Sequence, residues 1–463
     1  MGPAQWLTAT LLLAACAGSA EQSRPAQTAP AGRSTTMRDD GYRGVWYSIA
    51  KGSNVAYSGG LGTYPPHVGP MAVHAPKANK TFFVYGGAGA GGKGLRIMAS
   101  YYDHASGVLP RPTIVRDCGT FDDAHANPAL CIDGEGYLWV FAARRHTFAG
   151  KLYRSDKPYD TSAFAEVRDI DAYPQPWWTR EGGFTLVYTR YTGGRENYWQ
   201  TSRDGTRWSD EGKLTTGGHY VKSYMQGRSL MVACDWHPTS SDDRTNLYFM
   251  RSDDFGKTWS AADGKALTPP LEFPENGALV REYKSQKKYV FINDVKADPS
   301  GKPLILYVVS QSGAYGPGPK GDPRELTLAR WDGRKWLYSV VAKVDHNYDF
   351  HNMHVDSDGG LTIVGPTLPG PQPSWCGGEM AMWTSSDGGD TWKLRRQLTA
   401  ASASNHTFAR IPLEPDSGFF AFWADGDPSK PSDSRLYFAT REGKVFRMPQ
   451  RMAQDFAEPE VLE

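Results

Sequence analysis

The segment "SDDFGKTW", residues 252–259, returns as "SSDGGDTW" at residues 385–392. Both follow the pattern Ser-x-Asp-x-Gly-x-x-Trp, which encodes a hairpin turn. The aspartate accepts local backbone N–H groups, the glycine takes a positive φ and the tryptophan pins the turn. "SRDGTRW" (202–208) is the same device one residue shorter, and "WDGRKW" (331–336) is a degenerate copy. A turn that recurs along one chain signals a repeat, and the repeat decides the architecture before any single element does.

A second feature repeats between these turns. "HAPKANK" (74–80), "DGEG" (133–136), "REGG" (180–183), "MQGR" (225–228), "YKSQKK" (283–288), "DSDGG" (356–360) and "EPDSG" (414–418) each precede a β-rich run such as "TFFVYGG", "YLWVFAA" or "FFAFWAD". Each hairpin leaves room for two more strands before the next, and the Ser-x-Asp turns fall between those two. The predicted fold is all-β: a seven-bladed β-propeller of four-stranded antiparallel blades with Asp-box turns, residues 41–463 forming one domain. A composition of 15 Trp, 24 Tyr, 50 Gly and 32 Pro in 463 residues agrees with aromatic strands broken by many turns. A net charge of +1 gives no basic footprint for nucleic acid. No apolar run is long enough to span a bilayer.

The first residues are read apart from the fold. "WLTATLLLAACAGSA" ends its apolar run in Leu13-Ala14-Ala15-Cys16, a lipobox-like sequence in which small residues admit a signal peptidase and the Cys16 thiol accepts lipid. Residues 1–16 are thus expected to be a lipoprotein signal, although "MGPAQW" lacks the usual basic residue; an ordinary secretory signal is the alternative. Residues 17–40 are small, polar and proline-dotted, a flexible linker. The expectation is an exported monomer, lipid-anchored to the bacterial cell envelope or secreted, touching membrane only through that anchor. Four further cysteines, Cys118, Cys131, Cys234 and Cys376, contain no CxxC pair and read as buried thiols. Cys234 with His237 and His219 is a weak candidate for a structural zinc or calcium ion.

In an up-and-down blade the start of the innermost strand and the end of the second strand share one face. The hairpin turns and Asp boxes lie on the other. Innermost-strand starts then carry His67, His125, Tyr173, His219, Asn276, His351 and His406. Second-strand ends carry Arg144, Arg145 and His146, then Arg190 and Tyr191, then Asp235, Trp236 and His237, with Arg244 following. For His67, His351 and His406 a purely structural role weighs equally with a functional one. His125 and His146 share one hairpin beside Tyr173 and Arg190, which favours function.

A cluster rich in His, Tyr and Arg but poor in paired carboxylates does not suit ordinary glycoside hydrolysis. It suits β-elimination at a uronate, which needs a base for the proton α to the carboxylate, cations for that carboxylate and an acid for the leaving oxygen. The segments "GYRGVWY" (41–47), "YSGGLGTYPPHVGPMAVHAPKANKTFFVYGG" (57–87), "DDAHANPAL" (122–130), "AYPQPWW" (172–178) and "YTRYTGGRENYW" (188–199) resemble the BNR-repeat propeller family, which contains seven-bladed ulvan lyases. The resemblance covers most of residues 41–440.

That resemblance implies a polysaccharide lyase acting on a uronic-acid polysaccharide, sulfated and ulvan-like, with no cofactor required for catalysis. It places the catalytic histidine on His125, the carboxylate-neutralising histidine on His146, the catalytic tyrosine on Tyr173 and the neutralising arginine on Arg190. Tyr188 and Tyr191 are the alternative tyrosines, and Arg207 is a competing arginine inside an Asp box. Arg244 is the further substrate-binding arginine. His67, His219 and Trp236 complete the expected substrate-binding set, and Lys222 is a candidate for sulfate. The same family includes propeller enzymes of rhamnosyl–glucuronic acid linkages, so an α-L-rhamnosidase is the rival enzyme. A non-catalytic glycan-binding lipoprotein is the rival outside catalysis. "FARIP" (408–412) contains the Arg-Ile-Pro of sialidases but follows the last Asp box, and it reads as strand sequence.

Overall fold

The computed structural model describes residues 1–2, 37–49, 58–192, 194–217, 220–239, 243–313, 322–373 and 376–462. Cys16, the linker as far as residue 36 and His219 lie outside the described residues. Among the described residues seven antiparallel sheets follow one another along the chain as the blades of a propeller. Blade two shows the pattern: Pro128–Ile132, Leu138–Ala142, Gly150–Ser155 and Phe164–Ile170 pair in chain order from the axis outward. The other innermost strands are Ala72–Ala75, Ala172–Thr179, Val221–Gln226, Tyr289–Ala297, Asn352–Val355 and Asn405–Arg410. No helix among the described residues is long and apolar enough to cross a membrane. All four described cysteines are buried free thiols.

Second strands are covered on both faces by neighbouring blades, so Leu138–Ala142 reads "LWVFA" with every residue buried. Trp139 of blade two packs against Phe184 of blade three at 5.1 Å between ring centroids. The Asp boxes join third to fourth strands and also lock blade to blade. In "SDDFGKTW" the Gly256 N–H donates to Ser252 Oγ (2.7 Å), the Thr258 N–H to Asp254 Oδ1 (2.9 Å) and Trp259 Nε1 to the Gly256 carbonyl (3.0 Å). Gly256 has φ +92°, and a Cβ there would meet the Trp199 ring of blade three at 2.8 Å. Both the backbone and the neighbouring blade therefore require glycine. Gly256→Ala is expected to cost about 1–3 kcal/mol, read as a lower denaturation midpoint; an unchanged midpoint would contradict this reading of the box.

Blade five corrects one expectation. "YKSQKK" was to be its inner turn and "YVFINDV" its second strand, with Asn276 at the inner-strand start. Instead Tyr289–Ala297 is the innermost strand and Pro303–Ser310 the second, joined by a turn at Asp298 whose carboxylate accepts from the Ser300 and Lys302 N–H groups at 2.8 and 2.9 Å. Residues 283–288 form a turn before the blade, and Asn276 lies in the preceding loop, where it caps Ala278 at 2.9 Å. Two turn signals bracket one apolar run here, and sequence offers no local reason to prefer the second.

His351 and His406 do begin innermost strands, but both are spent on packing. His351 meets Asn293 Oδ1 at 2.9 Å, and His406 accepts from Trp423 Nε1 at 2.9 Å and meets Ser402 Oγ at 3.0 Å. Burial depresses the two imidazoles to about 3 and about 4. His125 and His237 are likewise held at about 4. The unfolded chain, with histidine near its ordinary value, therefore binds more protons than the fold between about pH 4 and 6.5. Asp349, raised by burial to about 7, opposes them in that window but is outnumbered. Stability from these histidines is fully present above about pH 6.5 and is lost as pH falls toward 4. The melting temperature is expected to drop steeply across that interval; a flat profile would contradict it.

Candidate active site

The segment after the short strand Ser58–Gly60 folds down into the axis, and residues 61–69 are all buried. Its backbone carbonyls are held from three blades. Asn127 Nδ2 donates to Leu61 O (2.8 Å) and Tyr64 O (2.7 Å), Lys222 Nζ to Pro66 O (2.7 Å), and Arg410 Nε to Thr63 O (2.8 Å). Burial lowers Lys222 to about 7 and Arg410 to about 10. Lys222 is thus a channel residue rather than a sulfate contact at the rim. Arg410, the arginine of the Arg-Ile-Pro sequence, is a channel brace. The glycine- and proline-rich text of this segment serves to carry Tyr64 and His67 to the mouth of the axis.

His125 sits at the centre of that mouth, buried in a short 3₁₀ turn that Asp123 caps by accepting the His125 N–H at 2.9 Å. The same carboxylate oxygen takes His125 Nδ1–H at 2.5 Å, and its other oxygen accepts Arg145 Nε at 2.8 Å. An ionised carboxylate can only accept, so the proton lies on Nδ1 and the Nε2 lone pair faces Tyr64 OH at 2.8 Å. Burial sets the imidazole at about 4; Asp123 pulls it up, and Arg145 and Arg195 push it down. Burial alone would raise Asp123, but His125 and Arg145 hold it well below the usual carboxylate range. At neutral pH the pair is a neutral, oriented imidazole backed by a fixed negative charge.

Tyr173 approaches from blade three with its ring 6.2 Å from both the His125 and His67 rings and 5.8 Å from Tyr220. Its backbone φ is +51°, a strained value for an aromatic residue, coinciding with a break in strand register between Ala172 and Gln175. The hydroxyl is buried with no hydrogen-bond partner among the described residues. Burial holds its pKa well above the ordinary tyrosine value, so it keeps its proton. His67 stacks on Tyr220 at 4.3 Å, and burial together with Arg244, Lys222, Arg195 and His237 keeps it neutral.

Cations ring these groups. Arg195 lies over Tyr220 at 4.1 Å and over Tyr191 at 5.7 Å, and Arg244 lies over Tyr220 at 4.2 Å and donates to Tyr348 OH. His237 meets Asp235 at 2.8 Å, and Asp235 also accepts the Tyr220 N–H at 2.9 Å. The cluster thus gathers a neutral histidine, a protonated tyrosine and the guanidinium groups of Arg145, Arg195 and Arg244. That set can bind a carboxylate and move protons beside it.

The structure brings together His125, Tyr173, His67 and Arg244 from the expected set, with Tyr191 at the rim. It places others elsewhere. His146 is exposed, at φ +49° in a tight turn where the Arg145 and Phe148 backbones bond each other at 3.0 and 2.8 Å. Neighbouring side chains point opposite ways in that turn, so Arg145 and not His146 faces Asp123. Arg190 is bound to Glu211 and lies 3.5 Å from Asp171, and Tyr188 donates to the same Glu211 at 2.7 Å. Both therefore support the outer part of blade three. Arg207 is exposed in its Asp box, paired with Asp204 at 3.0 Å. Trp236 is half-buried, with Lys284 5.6 Å above its ring. Cys234 packs in an apolar core and His237 meets Asp235, while His219, the third residue of that candidate metal set, lies outside the described residues.

Sequence reasoning passed over Tyr64, Arg195 and Tyr220. Arg195 stands in "TGGREN", directly after the second strand of blade three, where a count of strand ends stops a few residues short.

Fold and pocket define a β-propeller that gathers histidine, tyrosine and arginine at one mouth of its axis. Residues 97–365 match the pattern described as "BNR repeat-containing family member", and the chain belongs to that family. It is 26% identical over 346 residues to the ulvan lyase of Nonlabens ulvanivorans, covering 63% of this chain and 69% of that one. It is 23% identical over 266 residues to the ulvan lyase of Alteromonas sp. (strain LOR), covering 48% and 53%. The chain thus spans about half the length of this second relative. A solved PL25 ulvan lyase superposes with a TM-score of 0.65 at 18% identity, over 89% of this chain and 97% of that one. These structures share the fold of this chain.

Proposed function

We propose that this protein is a polysaccharide lyase that cleaves a uronic-acid polysaccharide of the ulvan type by β-elimination. The observation that carries the reading is the facing pair of a neutral, Asp123-oriented His125 and a protonated, buried Tyr173 inside a ring of arginines. Its relatives in sequence are ulvan lyases, and a solved PL25 ulvan lyase is described bound to -[GlcA(1-4)Rha3S]-.

Arg145, Arg195 and Arg244 neutralise the uronate carboxylate, which makes the adjacent C5–H acidic and stabilises the charge that develops when it leaves. His125 takes the C5 proton at Nε2, and Asp123 stabilises the imidazolium that results. The electron pair forms the C4–C5 double bond, the C4–O4 bond breaks, and Tyr173 delivers its proton to the departing oxygen. The products are a 4,5-unsaturated uronate and a new hydroxyl-terminated chain. Side chains supply base, acid and clamp, so the reaction is proposed to need no cofactor.

A hydrolytic rhamnosidase reading fares worse on one ground. It requires two carboxyl groups placed for acid and nucleophile or base. Among the described residues the carboxylates that touch the cluster, Asp123 and Asp235, are instead committed to His125 with Arg145 and to His237 with the Tyr220 N–H. Mass spectrometry of ulvan digests tests this: lyase products are lighter by one water than hydrolytic ones, and products of full hydrolytic mass would overturn the proposal. Export with lipid attachment at Cys16, and action as a monomer, complete the proposed role; labelling with a fatty-acid probe that is lost in Cys16→Ser checks the anchor.

A further inference from the structure

On the face away from the pocket, His74, His104 and Asp416 each bring one donor atom to a common point, the three atoms lying within 4.8 Å of one another. His74 closes the innermost strand of blade one, and His104 follows that blade's third strand. Asp416 lies in the inner turn of blade seven. We propose that these three side chains bind a divalent transition-metal ion, zinc by their chemistry, and that the ion staples the first blade to the last where the ring closes.

The tautomers point to a ligand. His74 Nδ1 lies 3.1 Å from the Glu414 carbonyl, which can only accept, so the proton sits on Nδ1 and the lone pair on Nε2. That Nε2 is buried with no hydrogen-bond partner among the described residues. His104 Nδ1 lies 3.1 Å from Asp416 Oδ1, while its Nε2 is 2.9 Å from Thr81 Oγ1. Thr81 can accept the imidazole proton at Nε2, which frees Nδ1 to ligate, the usual outer support of a metal-bound histidine. A Cβ on Gly418 would stand 3.2 Å from Asp416 Oδ1 and 3.4 Å from His104 Nδ1; glycine keeps that side open.

Two imidazoles and one carboxylate suit zinc rather than calcium, which takes oxygen donors. Donors around tetrahedral zinc lie roughly 3.4 Å apart, so a small contraction completes three positions and leaves a fourth for water. The other comparable group, Asp345, His346 and Asp349, differs in kind. His346 donates Nε2–H to Pro373 O at 3.1 Å and has Nδ1 2.7 Å from Asp345, and its pKa rises to about 10. That ring is already a cation with no lone pair to give.

A staple here has mechanical meaning. Blade one takes its strands from residues 72–117 and blade seven from residues 405–462, and between them only the two-residue ladder of Leu109–Pro110 with Phe456–Ala457 is found among the described strands. Beside the triad the blades meet through short ties, His74 N to Leu413 O (3.0 Å) and Leu413 N to Ala72 O (2.9 Å).

The test is a calorimetric titration of chelator-treated full-length protein with zinc chloride alone. One equivalent is expected to bind at micromolar concentration or below, and the melting temperature to rise with zinc. His74→Gln and Asp416→Asn should each weaken binding at least tenfold. Cobalt(II) should give the intense visible absorption of a tetrahedral site in the wild type and lose it in both variants. Absence of binding up to millimolar zinc, or binding unchanged in both variants, overturns the proposal. Asp416 is partly exposed, so its variant reports on the site even if the histidine variant fails to fold.

Discussion

His125→Ala is expected to reduce kcat on ulvan by about 10²–10⁴-fold, the usual worth of a positioned base. The effect should fall on kcat more than on KM, because the substitution leaves in place the proposed carboxylate clamp of Arg145, Arg195 and Arg244. The substitution removes one side-chain partner of Asp123 and leaves it Arg145 and Tyr47, so a modest loss of stability should accompany it. Far-ultraviolet dichroism and a melting curve separate that loss from catalysis. In the wild type the acid limb of kcat/KM should lie near the imidazole's value of about 4, well below that of an ordinary histidine. A limb near 6.5 would mean that burial does not act on this ring as described.

Tyr173→Phe is expected to lower kcat by about 10²–10⁴-fold as well, since it deletes the proton for the leaving oxygen while preserving the ring. The tyrosine hydroxyl makes no hydrogen bond among the described residues, so its removal should leave stability unchanged or slightly higher. That separation of activity from stability is the signature of a group kept for chemistry. Substrates with a better leaving group at O4 should be cleaved by the variant with a smaller deficit. Tyr188→Phe, which loses only the bond to Glu211 at 2.7 Å, should leave the elimination rate within a few-fold of wild type.

The fold was largely legible because its signals are local. Asp-box turns need particular residues at particular steps, and buried second strands read as continuous apolar runs. Blade five shows the limit: two competent turns flank "YVFINDV", and only pairing with Pro303–Ser310 decides which of them is inside the blade.

The site was legible where a residue's position along a strand fixes its side of the blade, as for His125 and Tyr173. It was not legible where a loop turns. His146 and Arg145 are adjacent in sequence, and one left-handed residue exchanges which of them faces the pocket. Arg190 stands at the right strand end but is held by Glu211, a long-range partner. Arg195, a few residues later, reaches the pocket because the loop folds back toward the axis over Tyr220. Tyr64 arrives on a plug held by Asn127, Lys222 and Arg410, contacts no local pattern encodes.

The central claim is elimination rather than hydrolysis, and one measurement addresses it most directly. Ulvan digestion should be followed at once by ultraviolet absorbance of the conjugated unsaturated uronate and by release of reducing ends. The account predicts that the two rise together, one chromophore for each new end, and that both vanish in His125→Ala. Reducing ends appearing without absorbance would contradict it.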